Sequence, residues 1–196
     1  MSYDGGMSRD DREHWEAKHR PPPASAAPAP FLVEHADLLP PGRTLDLAAG
    51  TGRNARYLAA RGHRVVAIDG ARAALAHVRA ADPRIACVQM DLDAPGIRPH
   101  CVDTVIVVNF LDRRLFAAVT EWLRPGGMLL WDTFLLEQRE IGHPRNPEFL
   151  LRRGELAERI ADAFELLAIR EGLVEELPAG PCYRGGVVAR RRRDAA

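Results

Sequence analysis

The residues whose types and spacing carry chemistry in this chain are Asp46, Gly50, Gly52 and Asp69, the first three inside the stretch TLDLAAGTGRNARYLAA from Thr44 to Ala60. Leu45 and Leu47 alternate with small or acidic residues, as in a buried strand. Gly50 and Gly52 break that pattern, and Asn54 to Arg61 resumes with helix formers until Gly62. A strand that stops at glycines and turns straight into a helix makes a nucleotide site. The backbone can approach a ligand with no Cβ in the way, and the free N–H groups of the first helical turn face the same spot. Gly50, Gly52 and Ala55 also satisfy the G-x-G-x-x-G/A dinucleotide fingerprint. A second strand, His63 to Asp69, ends in an acid 69 − 50 = 19 positions after Gly50, near the spacing of an acid that grips a ribose.

Around this nucleus, strand and helix patterns alternate. Arg64 to Asp69 reads as strand two, Arg72 to Ala81 as a helix with Leu75 and Val78 on one face, and Ile85 to Gln89 as strand three. Val102 to Asn109 is nearly continuous apolar, as suits a central parallel strand covered on both faces. Leu115, Phe116, Val119, Trp122 and Leu123 fall at helical spacing, ended by Pro125-Gly126-Gly127, and Met128 to Phe134 reads as strand five. Leu135 to Leu150 has no periodicity and reads as a long loop. Leu156, Ile160 and Phe164 mark a further helix. Two last strands, Glu165 to Glu176 and Tyr183 to Arg190, are joined by a short turn, so they must pair antiparallel. Before all this, Phe31 to Leu39 reads as a helix, Pro21 to Pro30 as an extended spacer, Asp11 to Arg20 as a short helix carrying Trp15, and Met1 to Asp10 as disordered. The expected fold is α/β: a Rossmann-like, doubly wound, seven-stranded sheet, mostly parallel, ending in an antiparallel hairpin. The expected organisation is a segment 1–30, a cofactor-binding domain 31–190 and a basic tail 191–196.

Bulk properties exclude several classes. Length 196 with 46% hydrophobic and 28% charged residues suits one globular domain. Lys plus Arg equal Asp plus Glu at 27 each, so no net charge draws the chain to nucleic acid or an acidic membrane. Cys87, Cys101 and Cys182 form no C-x-x-C pair and suggest neither a disulfide framework nor a metal site. The N-terminus is too polar for a signal peptide, and no apolar run approaches the ~20 residues that span a bilayer. A cytoplasmic protein with a small-molecule substrate is the expectation.

These residues together resemble the class I S-adenosylmethionine (SAM)-dependent methyltransferases. The acid-x-G-x-G-x-G motif of that family reads here Asp46-Leu47-Ala48-Ala49-Gly50-Thr51-Gly52, with Ala48 in place of the first glycine, a small residue that still suits a strand end. The terminal hairpin fits that family's seven-stranded sheet. A narrower likeness is to small bacterial methyltransferases of the tellurite-resistance type. It rests on the N-terminal helix with His14, Trp15, Lys18, His19 and Arg20, on GTGRNARYLAARGHRVVAID, and on PGGMLLWDTFLL followed by GHPRNPEFLLRRGEL.

The resemblance implies SAM as cofactor. Gly50 and Gly52, with Ala48, would admit its methionine part. Asp46 would face its ammonium, the alternative being a capping acid for the turn. Asp69, beside Gly70, would accept both ribose hydroxyls. Asp91, beside Leu92, would accept the adenine amine, with Asp93 as rival and a helix cap as the plain alternative for either. Asn109 and Phe110 would line the methyl-transfer region, although a Phe such as Phe110 is more often core than pocket. No catalytic base is assigned: His143, Glu137 and His19 are weak candidates, and no metal is expected. Arg53, Arg139 and Arg145 could guide an anionic substrate or be solvated loop charges. A nicotinamide-dependent oxidoreductase also fits G-x-G-x-x-A but leaves Asp46 and the hairpin unexplained, and a SAM-binding protein without transfer activity is a third reading. Trp15 stands in a polar stretch, with Lys18 and Arg20 near enough in sequence to meet the cofactor's carboxylate, so the segment is expected to close over bound cofactor as a lid. S-adenosylhomocysteine should then slow proteolysis between Met1 and Pro30. Equal cleavage with and without it would show that the segment is no lid.

Overall fold

A computed structural model describes residues 27–92, 95–176 and 180–193. Expectations for residues 1–26, including Trp15 and Arg20 and the lid, lie outside the described residues, as does the rival Asp93.

The sheet is built as the pattern predicts. The strands are β1 (Arg43–Leu47), β2 (Arg64–Asp69), β3 (Ala86–Gln89), β4 (Val102–Val108), β5 (Leu123–Phe134), β6 (Phe164–Glu176) and β7 (Gly180–Arg191). Their spatial order is β3-β2-β1-β4-β5-β7-β6. The strands from β3 to β5 pair parallel, while β7 runs antiparallel between β5 and β6. The helices are α1 (Pro30–His35), α2 (Arg53–Ala60), α3 (Arg72–Ala81), α4 (Leu115–Trp122), α5 (Gln138–Ile141) and α6 (Glu155–Ile160).

Two apolar layers cover the two faces. Phe31, Leu32, Leu58, Leu75 and Val78 pack on one side of the sheet. Phe116, Val119, Trp122, Leu156 and Ile160 pack on the other. The apolar run 102–108 is buried on both faces because β4 lies mid-sheet, with helices above and below. Its neighbour Trp131 is fully buried, stacks on Phe116 with ring centroids 4.6 Å apart, and donates from Nε1 to the Phe110 carbonyl at 3.0 Å. That bond ties the loop after β4 to β5, so Phe110 is held by its backbone and packs partly against the core.

Several boundaries differ from the sequence reading. The Pro125-Gly126-Gly127 stop lies inside β5, which starts at Leu123 and carries a register shift there against β4. The helix read over Phe31–Leu39 becomes α1 followed by a 3-10 turn, Ala36–Leu38. Phe164 opens β6 where the pattern put it on a helix. Leu135–Leu150 is no bare loop: it holds α5 and a 3-10 turn, Pro147–Phe149. Its neck is closed by bonds from Leu136 N to Leu151 O and from Leu151 N to Phe134 O, both 2.9 Å.

The chain also makes contacts just outside residues 31–190. Ala29, placed in the spacer, is buried, and its N–H donates to Asn54 Oδ1 at 2.9 Å. The chain therefore docks on α2 before α1 begins. At the other end, Arg191 belongs to β7 and donates to the Leu123 carbonyl, and Arg192 N bonds Ala163 O at 2.8 Å. The basic run is thus partly stitched to the sheet and is no free tail up to Arg192.

Gly185 and Gly186 let β7 pass between layers. A Cβ on Gly186 would lie 2.8 Å from Asp132 Oδ1 and 3.0 Å from Phe31 Cε1. Gly186→Ala should therefore destabilise the fold by about 1–3 kcal/mol, read as a lower urea midpoint. An unchanged midpoint would mean that α1 and Asp132 move apart freely.

Candidate functional site

The carboxyl ends of β1, β2 and β4 meet at one edge, where a ligand binds in a sheet of this winding. The turn after β1 is built from left-handed residues: Ala48 at φ 53°, Gly50 at 54° and Gly52 at 77°. Glycine suits such angles because it lacks Cβ. Ala48 does not, so its replacement of the family glycine is a strained position, a feature the sequence reading passed over as a mere strand end. Gly52 is required on a second count, since a Cβ there would lie 2.7 Å from Val78 Cγ2 on α3.

Asp69 ends β2 and is part-buried. Its Oδ2 accepts the Gly50 N–H and its Oδ1 the Ala71 N–H, both at 2.8 Å. Each carboxylate oxygen has a further lone pair, so the group keeps acceptor capacity toward solvent. Gly70 follows, its carbonyl accepting from Gln89 Nε2 at 3.0 Å. Asp91 lies just past β3 and is half-buried, and Leu92 is core. Asp46 sits under the turn, almost fully buried, and its Oδ2 has no hydrogen-bond partner among the described residues. Burial first, then the Asp69 charge, push its carboxyl up to about 7, against the Ala55 backbone N–H and Arg53.

Asn109 follows β4 directly at φ 59°, exposed, with its N–H bonded to Asp132 O at 2.9 Å. Left-handed angles are tolerated by Asn more than by most residues. Its Oδ1 accepts from Arg184 Nη1 at 2.7 Å. Arg184, on β7, is buried, pairs with the buried Asp132 on β5, and lies over the Phe134 ring at 4.3 Å. Arg170, on β6, also pairs with Asp132 and with Glu176, and lies over Phe31 at 4.6 Å. Sequence reasoning missed this cluster. Its one signal was Asp132 itself, a charge inside an apolar strand.

The turn after β1, Asp69 and Asn109 thus share an edge that the Arg184 network borders. Of the weaker candidates, Glu137 pairs with Arg153 at 2.5 Å, and His143 and Arg145 are exposed on the loop. No His/Cys/Asp/Glu cluster suited to a metal occurs among the described residues. No helix among them is long and apolar enough to cross a membrane.

Asp46 carries its own pH signature. Its folded value, about 7, stands above the ordinary 3.8. Between these the native state holds more proton than the unfolded chain, so stability falls as pH rises through that window. Asp46→Asn should flatten this fall, measured by urea midpoints from pH 4 to 8. An identical pH slope in the variant would show that Asp46 titrates normally.

Comparison with known proteins follows the same geometry. Residues 44–127 match a methyltransferase domain family. No curated protein sequence matches the chain. Solved structures share its fold. One, described in the conversion of a disulfide bond into a thioacetal group during echinomycin biosynthesis, has 23% identity and a TM-score of 0.71, covering 94% of both chains. TehB from Haemophilus influenzae has 21% identity and a TM-score of 0.71, with 92% of this chain and 67% of TehB covered. A SAM-dependent methyltransferase from Methanosarcina mazei has 18% identity and a TM-score of 0.69, with 86% and 100% covered. The comparisons thus give a methyltransferase domain over residues 44–127 and, for the chain as a whole, the fold of these solved structures.

Proposed function

We propose that this chain transfers a methyl group from SAM to a small-molecule nucleophile at the edge between β4 and the β6–β7 hairpin. The observation that carries the reading is the buried, unpartnered Asp46 Oδ2 beneath a left-handed turn. A buried carboxylate oxygen without a donor is costly, and an ammonium group, directly or through water, would satisfy it. The turn meets a second need of the same cofactor, since its glycines bring backbone close to a ligand.

The roles are those that the resemblance implies, and the placement of these residues along one sheet edge supports them. Asp46 would hold the ammonium and Asp69 the ribose hydroxyls through its remaining lone pairs. Asp91 and Leu92 would border the adenine, and Asn109 the reacting end. Bound SAM supplies a methyl made electrophilic by the sulfonium. The chain's part is then to align the nucleophile with that methyl and to exclude water, with no base assigned.

Asp69→Ala should weaken SAM affinity by about 2 kcal/mol or more, the scale of a lost charge-assisted contact. Because Asp69 also holds Gly50 and Ala71, the melting temperature should fall as well. Titration calorimetry on the folded variant checks this, and unchanged affinity would remove Asp69 from the site. Turnover of methyl-labelled SAM against a panel of thiols, amines, hydroxyls and selenite tests transfer itself. Binding without turnover of any member would favour a SAM-binding protein with no transfer to small molecules.

A further inference from the structure

Three contacts close a ring through Asn109. Its N–H donates to the Asp132 carbonyl at 2.9 Å. The Asp132 carboxylate takes the Arg184 guanidinium. Arg184 Nη1 then donates back to Asn109 Oδ1 at 2.7 Å. The ring spans the end of β4 and the strands β5 and β7, which are neighbours in the sheet. Its two charged members have little room to turn. Asp132 and Arg184 are both buried, and Arg184 lies over the Phe134 ring, 4.3 Å from its centroid.

Charge balance alone does not call for Arg184. Arg170 already meets both oxygens of Asp132 at 2.9 Å. It also meets Glu176 at 3.0 Å, closer than the 3.5 Å from Arg184. Burying a second guanidinium is costly, and more so when its Nε makes no hydrogen bond. What Arg184 alone adds is the contact to Asn109. A guanidinium has only donors, so the atom facing it is Oδ1 and Nδ2 points away from it. No described residue takes a hydrogen bond from Nδ2. Two amide protons are thus held without a partner on an exposed side chain, at the edge where the carboxyl ends of β1, β2 and β4 meet.

We propose that Arg184 is a positioning residue, which turns the Asn109 carboxamide so that its Nδ2 protons hydrogen-bond the methyl acceptor. The proposal rests on the methyltransferase reading above and adds a property of the acceptor: it carries an oxygen or nitrogen whose lone pair takes that bond.

The test uses the full chain with methyl-labelled SAM and a panel of thiols, amines, hydroxyls and selenite that includes ethanethiol. No binding of S-adenosylhomocysteine, or no turnover of any member, would sink the methyltransferase reading and this proposal with it. The member turned over fastest should carry an oxygen or nitrogen. Asn109→Asp keeps an oxygen toward Arg184 and removes both donors. It should lower kcat/KM for that member by about tenfold or more, mainly through KM. The melting temperature should stay within about 2 °C and S-adenosylhomocysteine affinity within about threefold. Arg184→Lys keeps the charge but loses the fork, and should lower kcat/KM by about fivefold or more. In an Asn109→Gly chain, whose glycine suits φ 59°, the same change should cost less than about twofold, because the group it positions is gone. Arg190→Gln, at a surface pair with Glu165, should leave turnover as it is. If Arg184→Lys does not fold, the 15N order parameter of the Asn109 carboxamide in the unaltered chain takes its place. A value of about 0.8 or more is expected, and one below about 0.6 overturns the proposal. The proposal also falls, with the methyltransferase reading intact, if Asn109→Asp turns over the acceptor as the unaltered chain does or if ethanethiol is the fastest member. It falls equally if Arg184→Lys costs as much in the Asn109→Gly chain. A loss of about tenfold in S-adenosylhomocysteine affinity in Asn109→Asp would overturn it too, giving Asn109 to the cofactor.

Discussion

One carboxylate holds the ligand edge of this sheet together. Asp69 Oδ2 takes the Gly50 N–H from the turn after β1, and Oδ1 takes the Ala71 N–H from the turn after β2. A single side chain therefore fixes two neighbouring loops, supported by the bond from Ala49 N to Ile68 O at 3.0 Å. This fixing makes the rest of the site possible. Left-handed Ala48 and an unpartnered buried Asp46 oxygen are local costs of order 1–3 kcal/mol each. They persist only where the surroundings leave the backbone no alternative.

The same edge divides at β4. On one side lie the glycine turn, Asp46 and Asp69. On the other lies a buried set of charges in which Asp132 binds both Arg170 and Arg184, with aromatic rings beneath each guanidinium. Asn109 stands at the border, its backbone tied to Asp132 and its side chain to Arg184. Buried pairs of this kind are weak evidence for stability, and Arg184 Nε lacks a hydrogen bond, yet the contacts to Asp132 and Asn109 hold its guanidinium in one geometry. Here that geometry orients one exposed carboxamide. The antiparallel hairpin is thus more than an appendix to the sheet, since it supplies both arginines of this network.

The parallel half of the fold was legible because its signals are local. Leu45, Leu47, Gly50 and Gly52 announce strand and turn, and Val102–Val108 announces a strand covered on both faces. The hairpin was legible from the short turn between its strands. What escaped depends on partners distant in sequence. Nothing near Arg184 says that its charge will be buried against Asp132, 52 positions away. Asp69 was read for its ribose role, yet its contacts to Gly50 and Ala71 became visible only once the two loops were placed side by side. Ala48 looked harmless because side-chain size was considered and its φ was unknown. The Pro125-Gly126-Gly127 run was read as an ending, while β5 passes through it with a register shift that absorbs the glycines.

The account stands on the turn after β1 being a SAM site, and calorimetric titration of the full chain addresses that most directly. S-adenosylhomocysteine should bind at one site per chain, with Asp46→Asn markedly weaker, while NAD at the same concentrations gives no heat of binding. A chain that binds NAD in preference, or one whose affinity for S-adenosylhomocysteine is untouched by loss of the Asp46 carboxylate, would contradict it.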